Sequence, residues 1–466
     1  MPLNLASPGI VVKEIDLTLG RVTPSSNKIG AIVAPFAKGP VDEPTLVENE
    51  NDLLLNFGEP YSTDKHYEHW LTASSYLAYG GSIRVVRADD ADLRNGFVGT
   101  ASSVKIKGLD HYNALGYDQS TLTGVVVAAR NPGSWSNGVK VAIIDSKADQ
   151  ILSGLTTTSG ISVGYGVTQA ISSILPGAGS TSVLDGYLKG IVTEINPGKI
   201  SVKVLSHVSA AGTETSVDYQ PSGVYAFSNS GSVAIHTSGQ SSSFLTTSYT
   251  SRLDWFDQQT IGLTTNSTVN WNNVAQRPGT SAYAAARNSR FDEVHVVVID
   301  ALGTVTGNAG TILEKHLSLS KASDAEFSVG NPSYWRKYLA NDSEYIFGLG
   351  APAGIVTTGY SSGFTLASDV GWDQEAEGII FAANGSTTNT LSGGKNYNGG
   401  TDLTASGSLT ASLAELSDGY DLFESTENYT VDFLLMGSAA YDISSAQALA
   451  NKLISVAELR NCLLYT

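Results

Sequence analysis

The feature that most constrains the fold of this chain is an apolar run in its second half. Between Glu293 and Asp300 every residue except His295 is a valine or an isoleucine. β-Branched residues without polar alternation are typical of a strand whose two faces are both buried. The chain therefore has to build a sheet that is covered on both sides, and this requires helices or a second sheet around it.

Strand signals near both ends of the chain alternate with helical spacing. Ile29–Ala34 and Ile83–Arg87 are predicted strands, and between them Ser62 precedes apolar residues at helical spacing, as a capping residue would. Segment 431–465 predicts a strand, a helix and a final strand, and residues 333–339 predict a helix opened by a proline. This alternation predicts an α/β core, in which helices pack on a sheet.

Between these α/β segments the chain consists mostly of short strand patterns separated by glycine, proline, asparagine and aspartate. Residues 96–205 are typical of a barrel-like domain, with a predicted strand at 104–107 and one predicted helix at 168–175. Residues 206–290 contain 27 serines or threonines and only eight charged side chains. That composition favours a second, sandwich-like β domain with exposed polar strand positions.

The predicted fold class is therefore α+β and multidomain, an α/β core interrupted by two inserted, mostly β domains of barrel or sandwich type. A length of 466 residues accommodates roughly three domains. Within the returning core we also predict a helix at 311–319 and a loop at 384–411. The predicted units are an extended N-terminal arm (1–23), the first part of the core (24–95), the barrel-like domain (96–205), the sandwich-like domain (206–290) and the second part of the core (291–466).

The N-terminal arm is predicted from a turn signal followed by alternation. Ser7-Pro8-Gly9 starts the segment, and apolar and polar residues then alternate with β-branched residues as far as Leu17. An extended terminal segment can add a strand to the sheet edge of its own or of a neighbouring subunit. The residues predicted to make this contact between subunits are Ile10, Val11, Val12, Glu14 and Ile15.

Composition argues against several classes of function. The net charge of −17, without a basic patch, argues against nucleic acid as the main partner. The single cysteine, Cys462, excludes an intramolecular disulfide framework and lies in an apolar run, so we expect a buried structural thiol. No apolar stretch approaches ~18 residues and the N-terminus lacks a secretory pattern, so we expect no membrane span and folding in a cytoplasm.

Three short matches to catalytic motifs lack the context that catalysis needs. Residues 359–363 (G-Y-S-S-G) fit the nucleophile elbow of esterases, but no histidine follows His316 in the chain. Residues 318–321 (S-L-S-K) lack their partner motifs and predict the end of an amphipathic helix. The glycine-rich segment 348–354 contains a proline and is not followed by a helical pattern, so we interpret it as a turn. We therefore predict that the chain is not an enzyme and needs no cofactor.

Two clusters could be considered as metal ligands. His66 and His69 lie at i, i+3 of a predicted helix, an arrangement that usually places two exposed side chains on one face. Asp89, Asp90 and Asp92 lack the spacing and the glycine of a calcium loop, so we interpret them as a solvated acidic turn. No metal site is predicted.

Five stretches of the chain, taken in order, resemble the tail sheath proteins of contractile-tailed phages of the myovirus type. They are residues 7–14 (SPGIVVKE), 129–141 (ARNPGSWSNGVKV), 292–324, 391–423 and 457–462. The second stretch looks like the family's P-G-x-W-G-N segment, with Ser136 in place of the usual glycine. The family-motif positions for which the resemblance implies a structural role are Pro132, Gly133, Trp135, Asn137, Asp292, Glu293, Lys315, Lys321 and Asp324.

This resemblance implies that the chain is the structural subunit of a contractile tail sheath, made in the host cytoplasm and carried in the virion. Family members stack as hexameric rings around a tail tube, and their terminal arms cross into neighbouring subunits. On baseplate triggering the sheath contracts and drives the tube through the host envelope. The implied partners are copies of the chain itself, the tail tube protein, and the baseplate and tail terminator proteins, without nucleic acid and without direct membrane insertion.

One expectation concerns the end of the chain. Sheath subunits normally continue beyond the equivalent of Thr466 into a C-terminal domain that carries a further swapped strand and most tube contacts. We therefore expect that domain to be absent here, and we expect this chain to assemble poorly by itself.

Two other functions stay open at this point. The Ser/Thr-rich segment 206–290 would also suit a virion adhesin or receptor-binding protein. Bacterial contractile injection systems use the same sheath principle, although insertions as large as 96–290 favour a phage.

Overall fold

The computed structural model of the chain describes residues 28–171, 173–174, 183–216, 225–229, 232–236, 242–245, 249–351, 369–370, 372–381, 383–398, 407–438 and 443–465. Helices and strands are both abundant in this part of the chain, so the predicted mixed α+β class is confirmed. The α-helices are α1 (Glu50–Phe57), α2 (His66–Ala78), α3 (Leu109–Ala114), α4 (Ala282–Ala285), α5 (Trp335–Asp342), α6 (Leu413–Asp421) and α7 (Ile443–Arg460).

The strands fall into three stretches of the chain. The first stretch contains β1 (Ile29–Ala34), β2 (Thr45–Val47), β3 (Ser82–Arg87), β4 (Phe97–Gly99), β5 (Val125–Ala129) and β6 (Val139–Asp145). The second contains β7 (Gln150–Ser153), β8 (Gly166–Ala170), β9 (Ser173–Ile174), β10 (Val183–Leu184), β11 (Tyr187–Asn196), β12 (Lys199–Val208), β13 (Glu214–Ser216), β14 (Val233–His236), β15 (Ser242–Leu245) and β16 (Thr250–Leu253). The third contains β17 (Thr260–Gly262), β18 (Thr268–Asn270), β19 (Glu293–Asp300), β20 (Thr311–Ser320), β21 (Glu326–Ser328), β22 (Asn331–Pro332), β23 (Ile346–Gly348), β24 (Asp369–Val370), β25 (Ile380–Phe381), β26 (Ser386–Thr390), β27 (Phe433–Leu435) and β28 (Leu463–Tyr465).

Segments that are far apart in the sequence meet in a five-stranded sheet, which we call the core sheet. Its order is β2-β3-β1-β27-β28, and all neighbours are parallel except the edge pair β2–β3. Helices α1 and α2 pack on the face that carries Ile32 and Val85, while α6 and α7 pack on the face that carries Val33 and Leu434. Parallel strands need apolar residues on both faces, which explains the short, continuous apolar runs of β1 and β27.

A side-chain cap marks the start of some of these helices but not of all of them. The hydroxyl of Ser412 accepts from the backbone N–H of Glu415, whose carboxylate accepts from the N–H of Ser412, a capping box that starts α6. The predicted capping role of Ser62 is wrong, because α2 begins at His66 after a short 3₁₀ turn. Asp64 and Lys65 in that turn adopt positive φ, so the chain makes a sharp bend where a side-chain cap was expected.

The chain between β3 and β27 of the core sheet builds a second group of sheets, which we call the second body. It contains an antiparallel four-stranded sheet, β20-β19-β6-β26, and a three-stranded sheet, β23-β5-β4. Val294, Val296 and Val298 of β19 face a core shared with the three-stranded sheet and α5, whereas Val297 and Ile299 face a second core built around tryptophans 255 and 271. The prediction that this run is a strand buried on both faces is confirmed.

Residues 150–253 build a separate antiparallel sheet of eight strands. The order is β15-β14-β8-β11-β12-β7-β16, and β13 pairs with the outer part of β12. The hairpin formed by β11 and β12 is the centre of this sheet, and its core includes Leu188, Val202 and Val233. The domain boundary predicted between residues 205 and 206 falls inside β12, because β12 continues to Val208.

Four local predictions are wrong. Segments 168–175 and 311–319 were predicted as helices, but the first overlaps β8 and β9 and the second lies within β20. Two register shifts between β19 and β20 break the period-2 alternation of a strand. Segment 104–107 was predicted as a strand. Its backbone instead forms hydrogen bonds with the side chain and the N–H of Asn95, and it does not pair with a neighbouring strand. The predicted loop 384–411 contains β26, the edge of the four-stranded sheet.

The packing of α7 on the core sheet makes the first testable prediction. Leu453 of α7 is fully buried against the core sheet, so Leu453→Ala leaves a cavity and should lower the free energy of unfolding by about 2–5 kcal/mol. Leu459→Ala, at a position on the same helix that is 62% exposed, is the matched control and should change it by less than about 0.5 kcal/mol. Chemical denaturation followed by circular dichroism measures both, and equal effects would contradict this packing.

Candidate functional site

The predicted inter-subunit arm, Ile10, Val11, Val12, Glu14 and Ile15, lies outside the described residues. The core sheet shows which surfaces such an arm could join. Its two edges are β2 and β28, each with one neighbour among the described strands. Leu46 of β2 is 42% exposed and Leu463 of β28 is 64% exposed. Edge strands with exposed apolar side chains are candidate places for a strand from another chain to add.

The stretch 132–137 forms a tight corner between β5 and β6. Gly133 has φ +134°, and a Cβ atom there would lie 2.7 Å from the carbonyl oxygen of Ala37, so this position requires glycine. Trp135 packs near Lys38, whose Nζ lies 5.3 Å from the ring centroid. The side chain of Asn137 donates to the carbonyl of Gly394 and accepts from its N–H, both at 2.8 Å. The structure thus joins two of the stretches that carry the predicted resemblance, 129–141 and 391–423.

The departure at Ser136 is accommodated by hydrogen bonds. Ser136 is fully buried, and its hydroxyl donates to the carbonyl of Gly133 at 2.8 Å and accepts from the N–H of Gly96 at 3.0 Å. A buried hydroxyl with both a donor and an acceptor partner carries little cost. The serine therefore fits this corner, and its hydroxyl connects it to Gly96.

Arg87 is the residue that sequence analysis missed at this corner. It ends β3, is fully buried, and donates to the carbonyls of Pro132 at 2.6 Å and Gly39 at 3.0 Å and to the hydroxyl of Tyr397 at 3.1 Å. Burial raises the pKa of the Tyr397 hydroxyl well above its usual range, so it remains a neutral partner. The sequence signal was present, since a cation directly after the apolar residues of a strand needs a buried partner or solvent.

A second buried polar cluster holds one end of the four-stranded sheet. The carboxylate of Asp145 accepts from Lys321 Nζ at 2.9 Å and from the N–H groups of Asn384 and Gly385, both at 2.7 Å, and Asp145 and Lys321 are both fully buried. Lys321 also donates to the carbonyl of Phe291 at 3.1 Å. A buried ion pair is tolerated only when both charges have further hydrogen bonds, as they do here.

Asp292 lies beside this pair. Its carboxylate accepts from the N–H and hydroxyl of Ser281, both at 2.8 Å, and from the hydroxyl of Ser320 at 2.5 Å. Because Lys321 follows Ser320 directly, the predicted motif positions Asp292 and Lys321 are brought together at one end of the sheet. The carboxylate of Asp292 contacts serines and a backbone N–H, while Lys321 contacts the Asp145 carboxylate and a backbone carbonyl, an arrangement that fixes loops.

The remaining motif positions do not contact the buried pair of Asp145 and Lys321. Glu293 accepts from the N–H of Gly279 at 2.7 Å, and Asp324 accepts from the hydroxyl of Tyr283 at 3.0 Å and from the N–H of Ala376 at 2.9 Å. Lys315 is exposed on β20 and is not part of the buried cluster. Neither its spacing nor its type distinguishes it from an ordinary solvent-facing lysine.

The expected exposure of the two neighbouring histidines is wrong. His66 and His69 are both buried, and each Nδ1 accepts a backbone N–H, from Tyr61 at 3.1 Å and from Ser438 at 3.2 Å respectively. Burial lowers the pKa of both imidazoles to about 4, and for His66 the neighbouring His69 and Arg87 add to the shift. Within the described residues no group of three or more His, Cys, Asp or Glu side chains is placed to hold a metal ion.

The acidic turn is less solvated than predicted. Asp90 is 4% exposed and accepts from the N–H groups of Asp92 and Asn398, while Asp89 pairs with Lys105 and Lys107 at 2.7 and 2.8 Å. Those lysines hold the pKa of Asp89 below its usual range despite the opposing effect of burial. The turn is therefore a structural ion-pair cluster.

The other sequence candidates are placed as follows. The predicted nucleophile elbow at 359–363 lies outside the described residues. Segment 318–321 ends β20, so its predicted helix end is wrong, and Lys321 is held in the buried pair described above. Cys462 is half-buried, less than expected, and burial raises the pKa of its thiol. Among the described helices, none is both long and apolar enough to cross a membrane.

Similarity to known proteins bears on this arrangement of sheets and buried clusters. A stretch of 90 residues is 37% identical to the tail sheath protein of Enterobacteria phage T4, and covers 19% of this chain and 13% of that protein. A stretch of 127 residues is 35% identical to the tail sheath protein of Vibrio phage KVP40, and covers 27% of this chain and 16% of that protein. The predicted resemblance to phage tail sheath proteins is therefore confirmed over these stretches.

Two further comparisons add little. A sheath tail protein of Listeria innocua, known from a crystal structure, is 14% identical to this chain, with 48% of this chain and 34% of that chain covered and a TM-score of 0.17. A score this low does not indicate a shared fold and carries no argument. No family model matches the sequence.

The buried ion pair makes the second prediction. Lys321→Met leaves the buried carboxylate of Asp145 without its cation, and we expect the free energy of unfolding to fall by about 3–5 kcal/mol. Lys315→Met, at an exposed position on the adjoining strand, is the matched control and should have little effect. The double variant Asp145→Asn/Lys321→Met should lose less than Lys321→Met alone, and a larger loss in urea denaturation would contradict the pairing.

The buried histidines make the third prediction. Between about pH 6.5 and pH 4 the unfolded chain binds protons at His66 and His69 that the folded chain excludes, so stability is lost as the pH falls through this window. The variant His66→Gln/His69→Gln should show a smaller loss of unfolding free energy between about pH 7 and pH 5. Tyr67→Gln on the exposed side of α2 serves as the control, and a pH slope unchanged by the double variant would contradict this assignment.

Proposed function

We propose that this chain is a structural subunit of a contractile tail sheath and that it has no catalytic role. The observation that carries the proposal is its sequence similarity to two phage tail sheath proteins. The buried polar groups support a structural role, since the partners of Arg87, Asp145, Lys321 and Asp292 lie in loops and at strand ends.

In this proposal the architecture is an α/β core interrupted by inserted, mostly β domains. Support comes from the core sheet, which joins β1 and β3 to β27 and β28 across more than three hundred residues of intervening chain. The eight-stranded sheet of residues 150–253 is the clearest candidate for an insertion, because its strands pair only with one another. The four-stranded sheet contains residues from both sides of that segment.

Assembly in this proposal proceeds by stacked hexameric rings around a tail tube, which contract and drive the tube through the host envelope for genome ejection. The partners are copies of this chain, the tube protein, and the baseplate and tail terminator proteins. The arm residues Ile10–Ile15 are proposed to reach a neighbouring subunit, and the edges β2 and β28 of the core sheet are surfaces that suit strand addition. The protein is then a late product, made in the host cytoplasm and carried in the virion.

Two other proposals compete with this one. A virion adhesin would use the eight-stranded sheet, whose β14 and β16 lie in the Ser/Thr-rich part of the chain. A bacterial contractile injection system would use the chain as a sheath without a capsid. The similarity to phage tail sheath proteins favours the phage sheath over both.

The fourth prediction separates these functions. Gold-labelled antibodies raised against residues 150–253 should decorate particles along the whole length of the tail, in extended and in contracted form, because a sheath subunit repeats along the tail. An antibody against the tube protein is the control, and it should reach only tubes exposed by contraction.

Each labelling pattern has one meaning. Gold confined to fibre tips or to the baseplate would contradict the sheath and support the adhesin. Gold along tails without capsids would support the injection system. Negative-stain electron microscopy reports all three patterns in one preparation.

A further inference from the structure

An apolar groove runs along the exposed side of α2 next to the core sheet. It has a volume of about 570 Å³ and is lined by Leu71, Thr72, Ser75 and Tyr76 of α2, by Tyr79 directly after α2, and by Phe433 and Leu435 of β27. Leu71 is 49% exposed and Tyr79 is 93% exposed. A concave apolar surface of this kind on a folded chain indicates a place where another segment binds.

The groove is shaped by two glycines that let one aromatic ring lie close to the sheet. A Cβ atom at Gly81 would lie 2.6 Å from the ring of Tyr76, and one at Gly30 would lie 2.9 Å from it. The ring can therefore approach β27, where its centroid is 6.0 Å from that of Phe433. Tyr76 and Phe433 together form one end of the groove.

The chain itself is anchored at that end. Tyr76 donates its hydroxyl hydrogen to the carbonyl of Lys28 at 3.0 Å, and Lys28 Nζ lies 5.4 Å from the centroid of the Phe433 ring. The N–H of Ile29 donates to the carboxylate of Asp432 at 2.9 Å, and the N–H of Asp432 donates to the carbonyl of Ile29 at 2.8 Å. The segment that precedes Lys28 therefore starts at the lip of the groove.

We propose that this groove binds residues Ile15–Leu19 of the same chain while the protein is unassembled. Ile15, Leu17 and Leu19 alternate with Asp16 and Thr18, so an extended backbone places the three apolar side chains on one side. These three side chains span about 13 Å, at about 6.7 Å for every two residues. The groove extends from Leu71 to Tyr79, which is about 12 Å along the helix axis. The two lengths match.

The connection between the docked segment and Lys28 allows this return. Residues 20–27 (GRVTPSSN) contain a glycine and a proline and include no apolar alternation. Eight residues can span at most about 27 Å, which exceeds the length of the groove. A segment tethered this closely has an effective concentration on the order of millimolar, so docking within one molecule outcompetes docking of a second copy in dilute solution.

This inference goes beyond the proposed function, because it concerns the free chain and holds whether or not the chain polymerises. Docking covers the apolar side of the arm and the apolar groove at the same time. It thereby removes from solvent two surfaces that would otherwise associate with other molecules. Release of the segment is then a requirement for the arm to contact a neighbour.

The fifth prediction tests the docking by disulfide formation. In a Cys462→Ser background, Leu17→Cys and Thr72→Cys should form an intramolecular disulfide under mild oxidation at micromolar protein concentration, detected by non-reducing electrophoresis and peptide mass spectrometry. Leu17→Cys with Glu458→Cys is the matched control, because Glu458 is exposed on α7, on the opposite face of the core sheet. We expect at least a tenfold higher yield for the first pair.

Other outcomes overturn the proposal. Disulfide-linked dimers of the first pair would show that the groove binds the arm of a second copy, and equal yields for the two pairs would show that the arm does not dock. A second measurement does not depend on cysteines: Leu17→Ser should raise the fluorescence of a bound anilinonaphthalene dye several-fold. Asp16→Ser should leave it unchanged, and equal dye binding by these two variants would overturn the proposal.

Discussion

The organisation of this chain depends on one buried cation. Arg87 ends β3, which lies beside the central strand β1 of the core sheet. Its guanidinium donates to the carbonyls of residues 37, 39 and 132 and to the hydroxyl of Tyr397. Residues 37 and 39 follow β1 of the core sheet, whereas residues 132 and 397 belong to the part of the chain between β3 and β27. A guanidinium suits this position because its planar set of donors can serve several carbonyls at once. Removal of the cation would leave those carbonyls buried without donors.

A second buried charged group fixes loops in the second body, but there the charge at the strand end is negative. There the carboxylate of Asp145, at the end of β6, accepts from a lysine and two backbone N–H groups, and Asp292 accepts from Ser281 before α4 and from Ser320 at the end of β20. Both clusters use charged side chains to fix loops that have few apolar residues of their own. Loops beside the core sheet and beside the four-stranded sheet are thus each fixed by a small number of buried polar contacts.

The parts of the fold that could be predicted from sequence were those in which a local pattern and its burial agree. The run 294–299 and the strand–helix–strand segment at the C-terminal side are examples, because apolar residues fill most of their buried positions. Prediction failed for 311–319, where bulges break the alternation of β20, and for His66 and His69, whose burial depends on contacts with residues 61 and 438. The roles of Arg87 and Asn137 could not be predicted, because their partners lie tens to hundreds of residues away.

The place where the backbone enters and leaves the eight-stranded sheet has a consequence for how the sequence can vary there. The backbone enters that sheet at Asp149 and leaves it at Asp254, whose N–H donates to the carbonyl of Asp149 at 3.1 Å, while Arg277 pairs with the Asp149 carboxylate at 2.7 Å. Entry and exit are therefore adjacent and are clamped from the second body. A segment whose two ends lie this close can change in length while the chain on either side keeps its path, although Ile191 and Leu205 of this sheet also pack on Phe291 of the second body. The same junction would accept a foreign domain whose own termini lie close together.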